Sequence, residues 1–185
     1  MRKSAVVFFA DGFEEVEALT VCDGLIRCGV DVVKAAVGGG LTVTSSHNVP
    51  VVCDMLVEDI GDREFDLVFA PGGMPGSTNL AQCWDVNRII VSHAAKGALV
   101  SAICAAPAAV LGPLGLLEGR KATCFPGCED LAPQVSFSKD GVVEDGNIIT
   151  AKSVAYAWPL VFRLSSRLFG EEAAAKLERG IFWNC

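Results

Sequence analysis

Short apolar runs alternate with segments of helical periodicity along the chain, and this alternation predicts the fold class. Four runs consist mainly of apolar residues and predict strands buried on both faces of a sheet; they lie at 5–10, 30–37, 66–70 and 98–103. Shorter runs predict further strands at 121–125, 135–137, 142–144 and 148–150, with Asp145-Gly146 as a hairpin turn. The segment 41–57, which contains Asn48 and Pro50, predicts a small β-excursion.

Helices are predicted where apolar residues recur at intervals of three or four. In the first helix, from Glu14 to Cys28 and ended by Gly29, the apolar stripe is Val16, Leu19, Leu25 and Ile26. Other helices are predicted at 79–96 with a break near Trp84, from Pro107 onward, at 154–169 and at 171–179. Strands that alternate with helices indicate an α/β protein with a mostly parallel sheet. Because no linker or internal repeat interrupts the pattern, we predict one domain spanning residues 1–185.

The composition excludes several classes of protein. Hydrophobic residues make up 51% of the 185 positions and charged residues 20%, so the chain can fill a core. A net charge of −7 argues against direct binding of nucleic acid or of an anionic membrane surface. The apolar run at 5–10 is too short to span a membrane, and Glu14, Glu15 and Glu17 stand where a secretory cleavage site would need small residues. We therefore expect a cytoplasmic protein.

Cysteine and histidine usage predicts reduced thiols and no metal site. The eight cysteines are scattered through apolar segments without a Cys-x-x-Cys pair, which is typical of small buried hydrophobic residues. The two histidines, His47 and His93, are not at a zinc-like spacing from a cysteine pair. We expect His93 on the surface of a helix and assign neither histidine a catalytic role.

Cys104 differs from the other cysteines because a buried strand ends there and a helix follows from Pro107. Small residues on both sides let the backbone turn sharply and lift the side chain out of the sheet, as in a nucleophile elbow. Unpaired N–H groups at the start of a helix favour a negative charge, so we expect the thiol pKa below its usual value of about 8.5. Cys104 is therefore the predicted nucleophile.

Two further segments end core strands at the same edge of the sheet. After the first strand, Glu14 and Glu15 are typical acidic residues of a first helical turn, while Glu17 lies one turn further on and is expected to face Cys104 with a protonated carboxyl. After the third strand comes Pro71-Gly72-Gly73, whose N–H groups are placed to form an oxyanion hole. A glycine pair on its own is also typical of a plain turn.

These segments together resemble the ThiJ/PfpI family, most closely its Parkinsonism-associated deglycase branch. The motifs are Ala10-x-Gly12-x-Glu14-Glu15-x-Glu17, Pro71-Gly72-Gly73 and Ala102-Ile103-Cys104-Ala105-Ala106-Pro107, with weaker similarity over 23–29 and 121–126. The resemblance implies a flavodoxin-like three-layer sandwich that forms a homodimer, with Cys104 as nucleophile and Glu17 as its protonated partner. It also implies that the Gly72, Gly73 and Ala105 amides line the pocket, and it implies no cofactor.

Members of this family are credited with glutathione-independent conversion of methylglyoxal to lactate and with removing early glyoxal adducts from proteins and nucleotides. The resemblance therefore implies an enzyme that acts on small reactive aldehydes or glycated groups, in the context of oxidative stress. The alternative function is a redox-sensing chaperone whose Cys104 is oxidised to sulfinate. Ala105 stands where protease-like members carry histidine, and this argues against a peptidase.

Other positions depart from the human-type pattern of the family. Phe125 replaces a histidine near the pocket, which removes a proton shuttle, and Ser153-Val154-Ala155-Tyr156 replaces Gly-Pro-Gly-Thr with a bulkier loop that is expected to reshape the pocket mouth. His47 replaces an arginine, and is expected either to pair with Glu14 or Glu15 or to lie in a solvent-facing loop. Four residues are expected to make dimer or pocket contacts: Glu14, Arg27, His47 and Phe125.

Overall fold

The computed structural model describes residues 2–183, and its centre is a seven-stranded sheet with the order β5-β2-β1-β6-β7-β9-β8. The strands in chain order are β1 Ser4–Ala10, β2 Asp31–Val37, β3 Thr42–Thr44, β4 Pro50–Val52, β5 Met55–Leu56, β6 Leu67–Ala70, β7 Leu99–Ile103, β8 Val142–Asp145 and β9 Ile148–Ala151. All neighbours in this sheet are parallel except the β8–β9 hairpin, while β3 and β4 form a separate antiparallel pair.

Helices cover both faces of the sheet. They are α1 Glu15–Arg27, α2 Gly76–Gln82, α3 Trp84–Ala95, α4 Ala157–Phe169 and α5 Glu171–Gly180, and a π-type helix covers Pro107–Leu111. Single 3-10 turns are formed by Val57–Ile60, Glu129–Leu131 and Val154–Tyr156. Within residues 2–183, none of these helices has the length and apolarity needed to cross a bilayer.

The alternation of side chains along β1 shows why the sheet is buried on both faces. Val6 and Phe8 belong to the core that includes residues of α2 and α3, whereas Val7 and Phe9 belong to the core under α1 and α4. All four are fully buried. The predicted core strands are thus present, and the flavodoxin-like three-layer sandwich expected from the sequence is confirmed.

The face that α1 buries is not the predicted one. Val16, Leu19 and Ile26 are exposed, and the helix packs through a face that contains Ala18, Val21, Cys22, Gly24 and Leu25. A methyl group on Gly24 would collide with the Val161 side chain of α4, so the close approach of the two helices needs a small residue there. The apolar stripe from the sequence was therefore wrong at three of its four positions.

Two of the predicted strands are absent from the described chain. Segments 121–125 and 135–137 share a single parallel bridge, between Ala122 and Phe137. The backbone of the first segment is occupied elsewhere, because the Thr123 N–H donates to Thr150 Oγ1 and the Phe125 N–H to the Cys104 carbonyl. The predicted 79–96 helix begins earlier, at Gly76, and breaks at Cys83 as expected.

His93 is buried rather than exposed. Its Nε2 accepts a hydrogen bond of 3.0 Å from the Phe65 N–H, so Nδ1 carries the proton and donates to the Ile89 carbonyl at 2.7 Å. Within residues 2–183 the seven cysteines are all free, three of them fully buried and four partly buried. Cys185 lies outside the described residues.

Candidate active site

Cys104 follows directly after β7 with φ 64°, in the left-handed region that non-glycine residues avoid. Its N–H donates to the Ala151 carbonyl at 2.9 Å, and its carbonyl accepts from the Phe125 N–H at 2.8 Å. The backbone is therefore held from two sides in a conformation that costs about 1–2 kcal/mol. This is the sharp turn predicted from the small neighbouring residues.

Two backbone N–H groups point at the sulfur. Ala105 starts the turn that leads into the Pro107 helix, and its N–H donates to Cys104 Sγ, as does the N–H of Gly73. The sulfur itself is only partly buried. Both hydrogen bonds favour the thiolate over the thiol.

Glu17 faces the sulfur from the first turn of α1. Its side chain is 1% exposed, its Oε2 accepts from the Gly72 N–H at 3.0 Å, and its carboxyl is hydrogen-bonded to Cys104. Glu14 lies just before the helix and caps it, because Oε2 accepts from the Glu17 N–H at 2.6 Å. The cap fixes the start of α1 and hence the direction in which the Glu17 side chain points.

Burial changes the acid strength of both members of the pair. It raises the pKa of Glu17 to about 7, with the Glu14 charge as a second cause. Burial, followed by the negative charge of Glu17, raises the pKa of Cys104 to about 12, against the opposing effect of the Gly73 and Ala105 N–H groups. The expected fall in the pKa of the thiol is therefore wrong while Glu17 is ionised, because burial and repulsion outweigh the start of the helix.

Glu17 and Cys104 interact strongly enough to titrate as a pair. The pair loses its first proton near pH 7 and its second near pH 12, so it carries one negative charge over the range between them. When Glu17 keeps the remaining proton, its repulsion of the sulfur disappears and its O–H becomes a donor. The chemistry of the site depends on which atom holds that charge.

Gly72 is required by the distance between these two side chains. A methyl group on it would lie 2.5 Å from Cys104 Cβ and 2.5 Å from Glu17 Oε2, closer than heavy atoms approach. Its N–H is already committed to Glu17, so the N–H groups directed at the sulfur are those of Gly73 and Ala105. Of the three predicted pocket residues, Gly72 leaves room for the two side chains, and Gly73 and Ala105 direct their N–H groups at the sulfur.

The largest side chain of the bulkier loop after β9 packs next to β8. Tyr156 packs on the backbone of Gly141, just before β8, where a side chain at that glycine would overlap its ring. Val154 remains exposed, as does Phe125, which stands beside Cys104 through its backbone hydrogen bond. The replacements therefore leave two exposed apolar side chains, Phe125 and Val154, on segments that adjoin Cys104.

His47 and Arg27, the other residues predicted to make contacts, lie at opposite ends of α1. His47 Nδ1 lies 2.8 Å from Glu15 Oε1, so the expected contact with an acidic residue forms within one chain. Arg27 pairs with Asp23 at 2.7 Å at the far end of the helix, about 20 Å along its axis from the start. Arg27 is therefore not part of the nucleophile site.

One cluster of metal-ligand type was missed from the sequence. Ligand atoms of Glu14, Glu15 and His47 lie within 4.8 Å of one another. His47 comes from the loop between β3 and β4, so only the folded chain brings it to the acids. The positive end of α1 opposes a cation at this position, and the contact between His47 and Glu15 already occupies one carboxylate oxygen.

The fold and the site together define a flavodoxin-like α/β protein in which a cysteine on a sharp strand-to-helix turn faces a buried glutamate. The chain belongs to the DJ-1/PfpI family, whose family model matches residues 3–166. A DJ-1 superfamily protein from Salmonella typhimurium, solved as a cysteine-to-alanine mutant, superposes with a TM-score of 0.94 at 35% identity, and 98% of each chain is covered.

Sequence relatives agree with this assignment. The chain is 36% identical over 176 residues to Protein DJ-1 homolog B of Arabidopsis thaliana, covering 95% of this chain and 40% of that protein. It is 29% identical over 181 residues to the Glutathione-independent glyoxalase DJR-1.2 of Caenorhabditis elegans, covering 95% of this chain and 94% of that protein. The chain thus spans less than half the length of its Arabidopsis relatives.

Proposed function

We propose that the protein is a cysteine-dependent, glutathione-independent glyoxalase and deglycase that acts on methylglyoxal or glyoxal adducts. The observation that carries this proposal is the hydrogen-bonded pair of Cys104 and Glu17, with two N–H groups aimed at the sulfur. The similarity to a relative named as a glutathione-independent glyoxalase supports it. The assignment of roles to the individual residues is part of the proposal.

The thiolate form of the pair is the reactive one. With the charge on sulfur, three donors serve it: the Gly73 and Ala105 N–H groups and the Glu17 O–H. With the charge on Glu17, the carboxylate receives the Gly72 N–H and the thiol S–H, which is a weak donor. The larger and stronger set of donors favours the thiolate with a protonated Glu17.

This arrangement has the groups needed to convert a 2-oxoaldehyde into a 2-hydroxy acid. The sulfur forms a bond to the aldehyde carbon, and the aldehyde oxygen takes the Glu17 proton to give a hemithioacetal. The Glu17 carboxylate then removes the hydrogen of that carbon as a proton and returns it to the neighbouring carbonyl carbon, while the hydroxyl proton of the first carbon passes to the oxygen of the second. The first carbon is thereby oxidised to a thioester and the second reduced to an alcohol within the same molecule.

Hydrolysis of the thioester completes the cycle, since water adds to the carbonyl, the C–S bond breaks and the 2-hydroxy acid leaves. The Gly73 and Ala105 N–H groups are the donors for the oxyanion of this step. With a hemiaminal adduct of an oxoaldehyde, the C–S bond forms as the C–N bond breaks, and the amine leaves with the Glu17 proton, which gives the same hemithioacetal. Because the electrons are exchanged inside the substrate, the net reaction consumes only water and needs no external oxidant.

Lactate formation from methylglyoxal tests the proposal. We expect no measurable turnover with Cys104→Ser and a loss of at least about 100-fold with Glu17→Gln, which cannot relay a proton. Cys83→Ser, which changes another partly buried cysteine, serves as the matched control and should turn over at the wild-type rate. Equal rates for wild type and Cys104→Ser would exclude Cys104 as the nucleophile.

A second function, that of a redox-sensing chaperone, is favoured by the partial exposure of the sulfur and by its donors. Oxidation of the thiolate to sulfinate places two oxygens where the Gly73 and Ala105 N–H groups and the Glu17 O–H can donate to them. Intact-mass and peptide analysis after graded peroxide treatment checks this. A gain of two oxygens at Cys104 before any change at Cys83 supports it, and even oxidation across the cysteines contradicts it.

We also propose that the chain forms a homodimer through the outer face of α1 and the adjoining β3–β4 hairpin. Val16, Leu19 and Ile26 are exposed on the helix, and Val49 and Val52 on the hairpin. Light scattering of Leu19→Asp tests this surface, because a buried aspartate should dissociate the dimer. Val91→Asp, which changes an exposed apolar residue of α3, is the control and should keep the wild-type mass.

A thiol nucleophile and many unpaired cysteines fit a reducing compartment, so we place the protein in the cytoplasm as part of the same proposal. Fractionation of cells that express the tagged chain checks this location. Recovery of the chain in an oxidising compartment would contradict it.

A further inference from the structure

Three exposed apolar side chains belong to the three segments that hold Cys104 in place. Met74 follows Gly73, whose N–H donates to the sulfur. Phe125 donates its own N–H to the Cys104 carbonyl, and Val154 lies three residues after Ala151, which accepts from the Cys104 N–H. We call Met74, Phe125 and Val154 the apolar rim.

The exposure of these residues is high for their type. Met74 is 51% exposed, and Phe125 and Val154 are each 44% exposed, although neighbouring Ala105 and Cys124 are nearly fully buried. Exposed apolar side chains on segments that contact a partly buried thiol lower the free energy of a bound ligand whose own apolar group covers them. The rim therefore favours a reactive molecule with an apolar substituent.

The charge at the same place is negative. Glu14 lies against the Gly72-Gly73 turn, where its N–H donates to the Gly72 carbonyl at 2.9 Å, and its carboxylate acts electrostatically on Glu17. The basic residues nearest in sequence to the rim are occupied or lie elsewhere. Lys152 Nζ donates to the Lys139 carbonyl, and Lys121 lies at the far end of β8, where its N–H donates to Asp145 Oδ2. An anionic ligand would meet Glu14 without a matched cation from these residues.

We infer that the site selects uncharged 2-oxoaldehydes with an apolar or aromatic substituent and discriminates against anionic ones, including phosphorylated trioses and nucleotide-borne adducts. This inference names the substrate class of the proposed enzyme and rests on the proposed function. Its physical content, an apolar rim with a negative charge beside Cys104, is also measurable without turnover. The test below uses that property.

Alkylation of Cys104 measures the selectivity of the mouth directly. The thiolate carbon–sulfur bond forms as iodide leaves, so the reaction needs no Glu17 relay. Three reagents differ only in the group beside the reacting carbon: iodoacetamide is neutral, iodoacetate is anionic and N-phenyliodoacetamide is apolar. Rates are followed at Cys104 by peptide mass and divided by the rates of N-acetylcysteine amide, a neutral free thiol, with the same reagents.

We expect N-phenyliodoacetamide to react about tenfold faster than iodoacetamide after this correction, as burial of a phenyl ring worth about 1.4 kcal/mol would give. Iodoacetate should react at least about threefold more slowly than iodoacetamide, and high salt should reduce that difference. Corrected rates that are equal for the three reagents would overturn the inference, as would a preference for iodoacetate.

Two phenylalanine variants show whether the rim is responsible. Phe125→Ser should remove most of the preference for the phenyl reagent. The matched control is Phe169→Ser, because Phe169 is 42% exposed but lies with Arg27 in the surface groove at the far end of α1. Loss of the preference in both variants, or in neither, contradicts the role of the rim.

Turnover separates this inference from the proposed function. With phenylglyoxal, methylglyoxal and 4-carboxyphenylglyoxal as substrates, kcat/KM should be highest for phenylglyoxal and lowest for the anionic analogue. Selective alkylation without any turnover would support the inferred selectivity of the site and contradict the proposed enzymatic function. Turnover with the highest kcat/KM for 4-carboxyphenylglyoxal would support the proposed enzymatic function and contradict the inferred preference for uncharged substrates.

Discussion

The Glu17 carboxyl and the Cys104 sulfur are hydrogen-bonded to each other across Gly72, which has no room for a side chain. One group comes from the helix after β1 and the other from the turn after β7. The parallel sheet brings these ends to one edge, where ligand sites of open α/β sheets lie. The topology of the sheet therefore brings the carboxyl and the thiol together, and the glycine leaves room for their contact.

The first prediction concerns the pH dependence of Cys104 alkylation. We expect a midpoint near pH 7 in the wild type, where the pair loses its first proton. In Glu17→Gln the amide is a weaker donor to the thiolate than a carboxylic acid, so the midpoint should rise by about one pH unit. Iodoacetamide rates from pH 5 to pH 10 measure both. A lower midpoint in the variant would mean that Glu17, not the sulfur, carries the charge.

Stability should depend on pH through the same pair. An unfolded glutamate loses its proton near pH 4.5, whereas the folded pair keeps both of its protons until about pH 7, so between these values the folded state holds a proton that the unfolded state has lost. This contribution to stability is complete below about pH 4.5 and is lost as the pH rises through 7.

Relative to the wild type, Glu17→Gln should therefore gain about 2–3 kcal/mol in free energy of unfolding between pH 4.5 and pH 8. Urea unfolding at several pH values measures the difference, and the titrating groups outside the Cys104–Glu17 pair cancel in the comparison. A difference that stays constant with pH would show that Glu17 keeps an ordinary pKa in the fold.

Gly72→Ala should damage the site through contact rather than through backbone strain. The added methyl group would meet Cys104 Cβ and Glu17 Oε2, and we expect a loss of about 1–3 kcal/mol in stability together with slower alkylation of Cys104. Gly180→Ala is the control, since a methyl group there meets no atom within 4 Å. Thermal unfolding and alkylation rates follow both variants; similar behaviour of the two would refute the proposed crowding.

Replacing Cys104 should reverse the usual order of alanine and glycine. At φ 64° an alanine keeps the backbone strain whereas a glycine relieves it, so Cys104→Gly should be more stable than Cys104→Ala by about 1 kcal/mol. Chemical denaturation of the two variants gives the difference. Greater stability of the alanine variant would show that the turn is not strained.

The sequence was sufficient for features that depend on local pattern. The run from Leu99 to Ile103, its small neighbours and Pro107 predicted the strand, the sharp turn and the start of a helix, and these are present. Glycines after β6 likewise indicated close backbone approach, which the contacts around Gly72 require. Such features follow from a few adjacent residues, so that tertiary structure had little to add.

Features that depend on packing were not accessible in the same way. Periodicity identified α1 but not its buried face, because that face combines Val21 and Leu25 with small residues and one carboxyl, Glu17. His93 was predicted on the surface because the sequence does not show its hydrogen-bond partner, the Phe65 N–H, which comes from another segment. The pKa of Cys104 was expected to fall because the sequence shows the start of a helix but not the depth of burial.

Val16 and Glu17 are neighbours on α1 whose side chains face solvent and interior respectively. Each residue of a helix is rotated by about 100° from the one before. An insertion or deletion of one residue between the Glu14 cap and Glu17 would therefore turn the carboxyl out of the pocket and bring an apolar side chain toward the sulfur. The direction of the Glu17 carboxyl thus depends on the number of residues that separate it from Glu14. A substitution on the outer face of α1 leaves that number unchanged and keeps the carboxyl in the pocket.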